Sequence, residues 1–354
     1  MRIRSASVGG ALTLLAFATF VAGCGARRTI ASAGPPEPDS RHAAYNTEVR
    51  VDLDGAALDV RFTFSYVASE RTARKIGLLS TFDQEMIGDL RITLPPDWEV
   101  VASGSVAFEK GVNVIRNRVP QVDVAFVAAP SFERIQSERF TVYYREADPR
   151  AASAVLAAAE NCARYLNSRY GARDPIPKGR LVLADRPGPG YARKNYIVLS
   201  RMDAVDAEGL HYFLCHELAH YWTRSAGAFS PHHWMTETFA EYVAGRYLRE
   251  HFGQLAFDRR RAQWEELGRA HGPVWTPAST KRPSFFVMYR RAPYLLSRLE
   301  ERIGAERFDR FLERYMIDRV RTTPELLEQL EIIAGAETAQ WFRAQLADGP
   351  VEVR

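Results

Sequence analysis

Cysteine, lysine and a second long apolar run are what this sequence lacks. Three cysteines in 354 residues cannot build the disulfide framework of a small secreted scaffold. Cys162 and Cys215 each fall in an apolar helical context and read as buried free thiols. Cys215 adjoins His216, but one residue turns about 100° around a helix, which removes it from any set of ligands that His216 joins. Lysine supplies only 5 of the 47 basic residues, and the arginines are scattered among acids, as in Arg298-Leu299-Glu300-Glu301-Arg302. With a formal net charge of only +4, that pattern describes solvated helix faces and excludes a nucleic-acid footprint. Beyond residue 24 no apolar stretch is long enough to span a bilayer, so the remainder reads as a soluble body. About 310 residues follow the first 44, enough for two domains with cores of their own.

The first 24 residues open with Arg2 and Arg4, continue through a mainly apolar run from Val8 to Val21, and close on Val21-Ala22-Gly23-Cys24. A basic start, a short apolar centre and small residues before a cut site make an export signal. Its ending resembles a bacterial lipoprotein signal, which implies lipidation of Cys24, an exported protein of the cell envelope and a membrane-surface anchor through acyl chains. Residues 25–44 carry Pro35, Pro36 and Pro38 without periodicity and read as a flexible tether.

From residue 45 to 146 the hydrophobic period is two. Val49 to Leu53 alternates, Asp54-Gly55 offers a turn, and Leu58 to Phe64 alternates again, a hairpin signal. Leu90 to Leu94, Val122 to Val127 and Phe140 to Tyr144 add strands. Residues 147–354 change period. A helix is expected over Ala151 to Tyr170, stopped by Gly171, then strands over Arg180 to Ala184 and Ala192 to Leu199, then a helix from about Ala207. The second half continues as amphipathic helices, including Phe308 to Tyr315, Leu326 to Ile333 and Glu337 to Leu346.

The chemistry gathers where the helix from Ala207 reads His216-Glu217-Leu218-Ala219-His220. Two histidines four apart project from one helix face, the separation that a single tetrahedral zinc needs from two nitrogen ligands. Glu217 points close to the metal without having to bind it and can take a proton from a water there. Glu237, after sixteen intervening residues, lies in a second helical pattern and supplies a third ligand, leaving a fourth position open. Glu241, one turn further on, is placed to accept the free ring N–H of a metal-bound histidine. His232 and His233, just before the second helix, read as loop residues.

The segment Trp234-Met235-Thr236-Glu237-Thr238-Phe239-Ala240-Glu241-Tyr242, following that His-Glu-x-x-His motif, resembles the gluzincin metallopeptidases of the aminopeptidase-N and leukotriene-hydrolase family. The resemblance runs from about Tyr45 to the C-terminus, with two residues fewer between His220 and Glu237 than the family's usual spacing. It implies one zinc ion held by His216, His220 and Glu237. It also implies that Tyr289, in a segment similar to the family's Y-x-K-G helix, steadies the oxyanion, with Tyr294 as the competing tyrosine. The family's amine-gripping strand corresponds to Tyr191-Ala192-Arg193-Lys194-Asn195, where Lys194 stands in the place of the glutamate. A cation there does not hold an ammonium, so the substrate residues Arg193, Lys194 and Asn195 point away from a standard aminopeptidase. The large helical domain that follows in full-length members has no counterpart here, an expectation of an open cleft.

The fold class expected is therefore α+β: an N-terminal antiparallel β domain, then a thermolysin-like, mainly helical zinc-peptidase domain with a short strand-edge sheet. The function expected is zinc-dependent hydrolysis of a peptide or protein substrate. Two other readings stand beside it. One is a non-catalytic zinc-containing surface lipoprotein with a binding or scaffold role, and the other is hydrolysis of a non-peptide substrate by the same residues.

Overall fold

The computed structural model describes residues 45–54, 57–66, 75–76, 86–94, 98–121, 124–184, 190–200, 205–223, 226–227 and 229–349. The expected signal, Cys24 and the tether lie outside the described residues. Two compact units divide the chain. One draws on the residues up to Arg134, on Tyr143–Ala147 and on Leu181–Arg201; the other on Ile135–Val142, Asp148–Arg180 and everything from Met202 onward. The division at residue 146 expected from the change of period is thus crossed, because 181–201 return to the first unit.

In the first unit, β1 (Tyr45–Asp54) and β2 (Ala57–Tyr66) pair antiparallel with Asp54 facing Ala57, the hairpin expected from their alternation. They continue into a sheet of order β1-β2-β4-β7-β6, with β4 at Met86–Thr93, β6 at Ser105–Glu109 and β7 at Val112–Gln121. Lys110 and Gly111 join β6 to β7, both with positive φ (51° and 80°). That backbone matches the twist of a hairpin, and glycine makes its half of it cheap. The sheet is not wholly antiparallel, since β2 and β4 run parallel with Phe62 opposite Leu90. A second sheet has the order β3-β8-β5, from Lys75–Ile76, Phe126–Ala129 and Glu99–Ala102. Every residue of β8 is buried, so this strand reads as a continuous apolar run instead of an alternation. Leu90, Ile92, Ile115 and Phe126 centre one core, and Val127, Val182, Tyr196 and Val198 another.

A third sheet has the order β12-β13-β11-β10-β9, from Tyr191–Arg193, Tyr196–Leu199, Gly179–Leu183, Phe140–Tyr144 and Glu133–Gln136. Here the expected strand Ala192–Leu199 is corrected. It is a hairpin, Arg193 facing Tyr196 across the two-residue turn Lys194-Asn195, with Lys194 left-handed at φ 55°.

The second unit is helical. Asp148 caps α1 (Pro149–Tyr170) by accepting from the Arg150 N–H at 2.8 Å, and Pro149 at the first position loses nothing by lacking a donor. α2 (Ala207–Thr223) and α3 (Trp234–His251) pack on each other and are buried nearly all round, α3 without interruption from Trp234 to Leu248. Helices so enclosed form the centre of a domain. α4 (Gln254–Gly268), a π-helical turn (Val287–Arg291), α5 (Ala292–Ile303), α6 (Ala305–Asp318), α7 (Thr323–Ala334) and α8 (Ala336–Ala347) complete the unit. A capping box between Thr322 and Glu325, with Pro324 in the first turn, starts α7. Among the described residues no helix is long and apolar enough to cross a membrane.

Candidate active site

On α2 the four-residue spacing brings the rings of His216 and His220 within 4.7 Å of each other, nearly perpendicular. From α3, Glu237 reaches across. Its Oε2 lies 3.5 Å from His216 Nε2 and 3.3 Å from His220 Nε2. One donor atom from each of the three residues falls within 4.8 Å of the others, and all three side chains are close to fully enclosed. A tetrahedral zinc with arms near 2.0–2.1 Å separates its ligand atoms by about 3.3 Å, close to the separation of each imidazole nitrogen from Glu237 Oε2.

The donor chemistry fits as well. His220 Nδ1 is 3.0 Å from the hydroxyl of Thr223, itself fully buried on the same helix. If that ring N–H donates to Thr223, Nε2 turns its lone pair toward Glu237, and two lone pairs at 3.3 Å repel unless a cation lies between them. A buried carboxylate without partners is costly by several kcal/mol. Burial pushes the Glu237 carboxyl up, but His220, His216 and His233 outweigh it and hold the group well below the usual carboxylate range. These residues therefore suit zinc, and among the described residues no fourth His, Cys, Asp or Glu joins the group.

Glu217 is buried on α2 between the two histidines. Tyr289 arrives from the π-helical turn and donates its hydroxyl to Glu237 Oε2 at 2.7 Å. Its ring stacks on His216 at 5.7 Å and on Phe285 at 4.4 Å. Burial, then the neighbouring charge of Glu237, raises the phenol far above its ordinary range, so it remains a donor at every working pH. Tyr294 points elsewhere, its ring under Arg261 and its hydroxyl 3.5 Å from Arg298. The structure thus brings Tyr289, and not Tyr294, to the two histidines.

A π turn carries one residue more than an α turn and leaves its carbonyls out of register. Here Ala292 N–H closes on Val287 O, while Met288 O accepts from the Thr238 hydroxyl of α3 at 2.8 Å. Arg290 ties down the next carbonyl, donating to Tyr289 O at 2.7 Å and standing 3.5 Å from Glu241 Oε1. Gly268 at the end of α4 allows the turn to approach, because a Cβ there would lie 2.6 Å from Arg291 N.

Two expectations are corrected. Glu241 does not accept a ring N–H: Oε1 faces Arg290, and the buried Oε2 has no partner among the described residues. Burial pushes this carboxyl up to about 7 against the pull of Arg290 and Arg260. Thr223 takes the role for His220 that Glu241 was expected to fill, and its signal was available as the third residue after His220. His233 is no bystander loop residue either. It sits at the N-cap of α3 with Nε2 3.3 Å from Glu237 Oε1. His232, in contrast, serves the fold, its Nδ1 accepting from Thr323 N–H at 3.1 Å where α7 begins. Arg193, Lys194 and Asn195 belong to the other unit, at the turn of the β12-β13 hairpin, where Arg193 donates to the Ala192 carbonyl at 2.7 Å.

No protein-family model matches the sequence, and comparison with curated proteins finds no match. Solved structures do match in fold. An M1 zinc metallopeptidase from Deinococcus radiodurans is 19% identical with a TM-score of 0.58, covering 75% of this chain and 65% of its own. The same enzyme with a Tyr-Ser-Ala substrate matches at 18% and 0.56. Native leukotriene A4 hydrolase from yeast is 15% identical with a TM-score of 0.64, covering 88% of this chain and 60% of its own. This chain therefore spans less than two thirds of those enzymes' lengths. With an antiparallel-rich β unit, a helical unit and two imidazoles facing one carboxylate oxygen, the chain carries the fold of the M1 zinc metallopeptidases and leukotriene A4 hydrolases.

Proposed function

We propose that this protein is a zinc-dependent peptidase that cleaves peptide bonds by direct attack of water. The observation that carries the reading is the convergence of His216 Nε2, His220 Nε2 and the Tyr289 hydroxyl on one oxygen of a buried glutamate, with Glu217 buried on the helix that carries both histidines. His216, His220 and Glu237 would hold one zinc ion. When bound, the ion supplies a Lewis acid that polarises the scissile carbonyl and acidifies water. Glu217 takes the attacking water's proton and passes it to the leaving nitrogen. Tyr289 donates its O–H to the oxygen on which negative charge develops. His220 keeps its orientation through Thr223, and Glu237 through His233.

The same reading makes the protein an exported lipoprotein, anchored at a membrane surface of the cell envelope through Cys24. The signal-like first 24 residues support this. Labelling with a radioactive fatty acid should mark the wild type and leave Cys24→Ala unlabelled. Lys194 supports a preference for peptides without a free amino terminus, since it stands where the resembled aminopeptidases place a glutamate. Hydrolysis of one peptide in free and N-acetylated form tests this, and clear preference for the free amine refutes it. The peptidase itself is tested by screening the purified, zinc-loaded protein against a peptide library with Glu217→Gln as control. Cleavage lost in that variant is the expected result. Absence of cleavage by the zinc-loaded wild type would favour the scaffold reading.

A further inference from the structure

His233 precedes Glu237 by four residues, so the two side chains share one face at the start of α3. A residue at a helix N-cap ordinarily turns its side chain back to the first free N–H groups. His233 does not: its side chain makes no capping bond, and only its backbone serves the turn, the N–H donating to Ser230 O at 3.1 Å and the carbonyl accepting from Thr236 N–H at 3.0 Å. Its imidazole is buried, Nδ1 has no partner among the described residues, and Nε2 faces Glu237 Oε1 at 3.3 Å. An enclosed imidazole with a single partner has its tautomer decided by that partner: the proton belongs on Nε2, donated to Oε1.

We infer that His233 is a positioning residue which occupies Glu237 Oε1 so that Oε2 alone faces His216 and His220. The inference rests on the zinc reading of the site. A carboxylate with both oxygens free can turn edge-on and take two coordination positions, filling the place that catalysis needs for water. The histidine blocks this from behind. It fixes the carboxylate plane and leaves three protein ligands and one open position. The Tyr289 hydroxyl donates to the other oxygen here but is given to the substrate oxygen in the proposed reaction, which leaves His233 as the donor that stays on the carboxylate. His233 touches neither substrate nor reacting atoms, and its effect passes through Glu237.

Three variants test the role. His233→Leu removes the donor, His233→Asn keeps polarity but is too short to reach Oε1, and His233→Gln places an amide N–H near the position of Nε2. Zinc affinity is measured by competition with a chromogenic chelator. The cobalt(II)-substituted protein is examined by visible absorption, whose intensity reports coordination number. We expect the leucine and asparagine variants to lose about 10- to 100-fold in zinc affinity and to change the cobalt spectrum, and the glutamine variant to return toward wild type. In peptide hydrolysis the loss should fall on kcat more than on KM. Should leucine perturb folding, as seen by circular dichroism, the asparagine and glutamine pair carries the comparison. Glutamine above asparagine and leucine in zinc affinity supports the role whether or not the wild type cleaves peptides. A folded leucine or asparagine variant with wild-type zinc affinity and cobalt spectrum overturns it. A wild type that takes up no zinc overturns both this inference and the proposed function.

Discussion

A single carboxylate, Glu237, meets four side chains: His216 and His220 beside one oxygen, with the Tyr289 hydroxyl donating to it, and His233 at the other. Around it the division of labour can be probed one residue at a time. Glu217→Gln should keep zinc in place while peptide hydrolysis falls about a hundred- to ten-thousandfold, measured as kcat with metal content determined in parallel. Tyr289→Phe removes only a hydroxyl and should lower kcat about a hundred- to a thousandfold. Tyr294→Phe, away from the two histidines, should change it little. At this scale the sequence was informative wherever the relation was local. The pair His216 and His220 follows from helical periodicity, and Glu217 from lying between them. Thr223 obeys the same periodicity, yet its hydroxyl becomes a partner only once His220 has a fixed ring orientation. His233 was illegible because Ser230-Pro231 signals the start of a turn three residues before α3, the Ser230 hydroxyl accepting from His232 N–H at 2.9 Å, so the sequence does not mark His233 as the residue at the helix boundary.

At the scale of elements, the π-helical turn decides where Tyr289 points, and it is held from outside. The Thr238 hydroxyl satisfies the carbonyl of Met288, and Gly268 gives the turn room. Thr238→Val leaves that buried carbonyl unpaired and should destabilise the protein by about 1–3 kcal/mol in chemical denaturation. A drop in kcat in the folded variant, with KM changed less, would show the turn relaxing toward ordinary helix. Nothing in Val287-Met288-Tyr289-Arg290-Arg291 announces an extra residue per turn, because its stabilisers sit on α3 and α4. The β12-β13 hairpin was missed for a related reason: Lys194-Asn195 lacks the glycine that usually marks a two-residue turn, and the flanking residues continue the alternation on either side. Lys110-Gly111 shows the legible version of the same device. The parallel pairing of β2 with β4 is equally absent from either strand's own pattern, since alternation fixes a face and not a direction.

For the molecule as a whole, the buried Glu241 links stability to pH. Its carboxyl is pushed up to about 7, above the ordinary value of 4.5. Below 4.5 both folded and unfolded chains are protonated there and nothing is lost. As pH rises through 4.5 toward 7 the unfolded chain releases its proton first, so stability falls; above 7 the loss is complete. The wild type should therefore lose about 3 kcal/mol more than Glu241→Gln between pH 4.5 and 8, measured by denaturant unfolding of metal-free protein. Comparing the change with pH cancels the constant effect of depriving Arg290 of its partner. The change of period near residue 146 announced two architectures, but the return of residues 181–201 to the first unit depends on sheet pairing that no local pattern encodes.

The way the last helices are joined has a further consequence. Gly253, Gly304 and Gly335, at φ of 91°, 80° and 89°, each stand directly before the helix that follows, and Gly304 and Gly335 also end the helix before. Such joints offer a digestive enzyme no slack to draw into its cleft. Residues 269–286, between α4 and the π turn, are the long exception, with Lys281 and Arg282 exposed there. In limited trypsin digestion of the native protein, cleavage beyond residue 253 should collect after Lys281, since Pro283 shields the bond after Arg282, and spare Arg302, Arg307 and Arg310. The helical half would thus expose a soft seam after α4, and that seam leads straight into the segment bearing Phe285 and Tyr289.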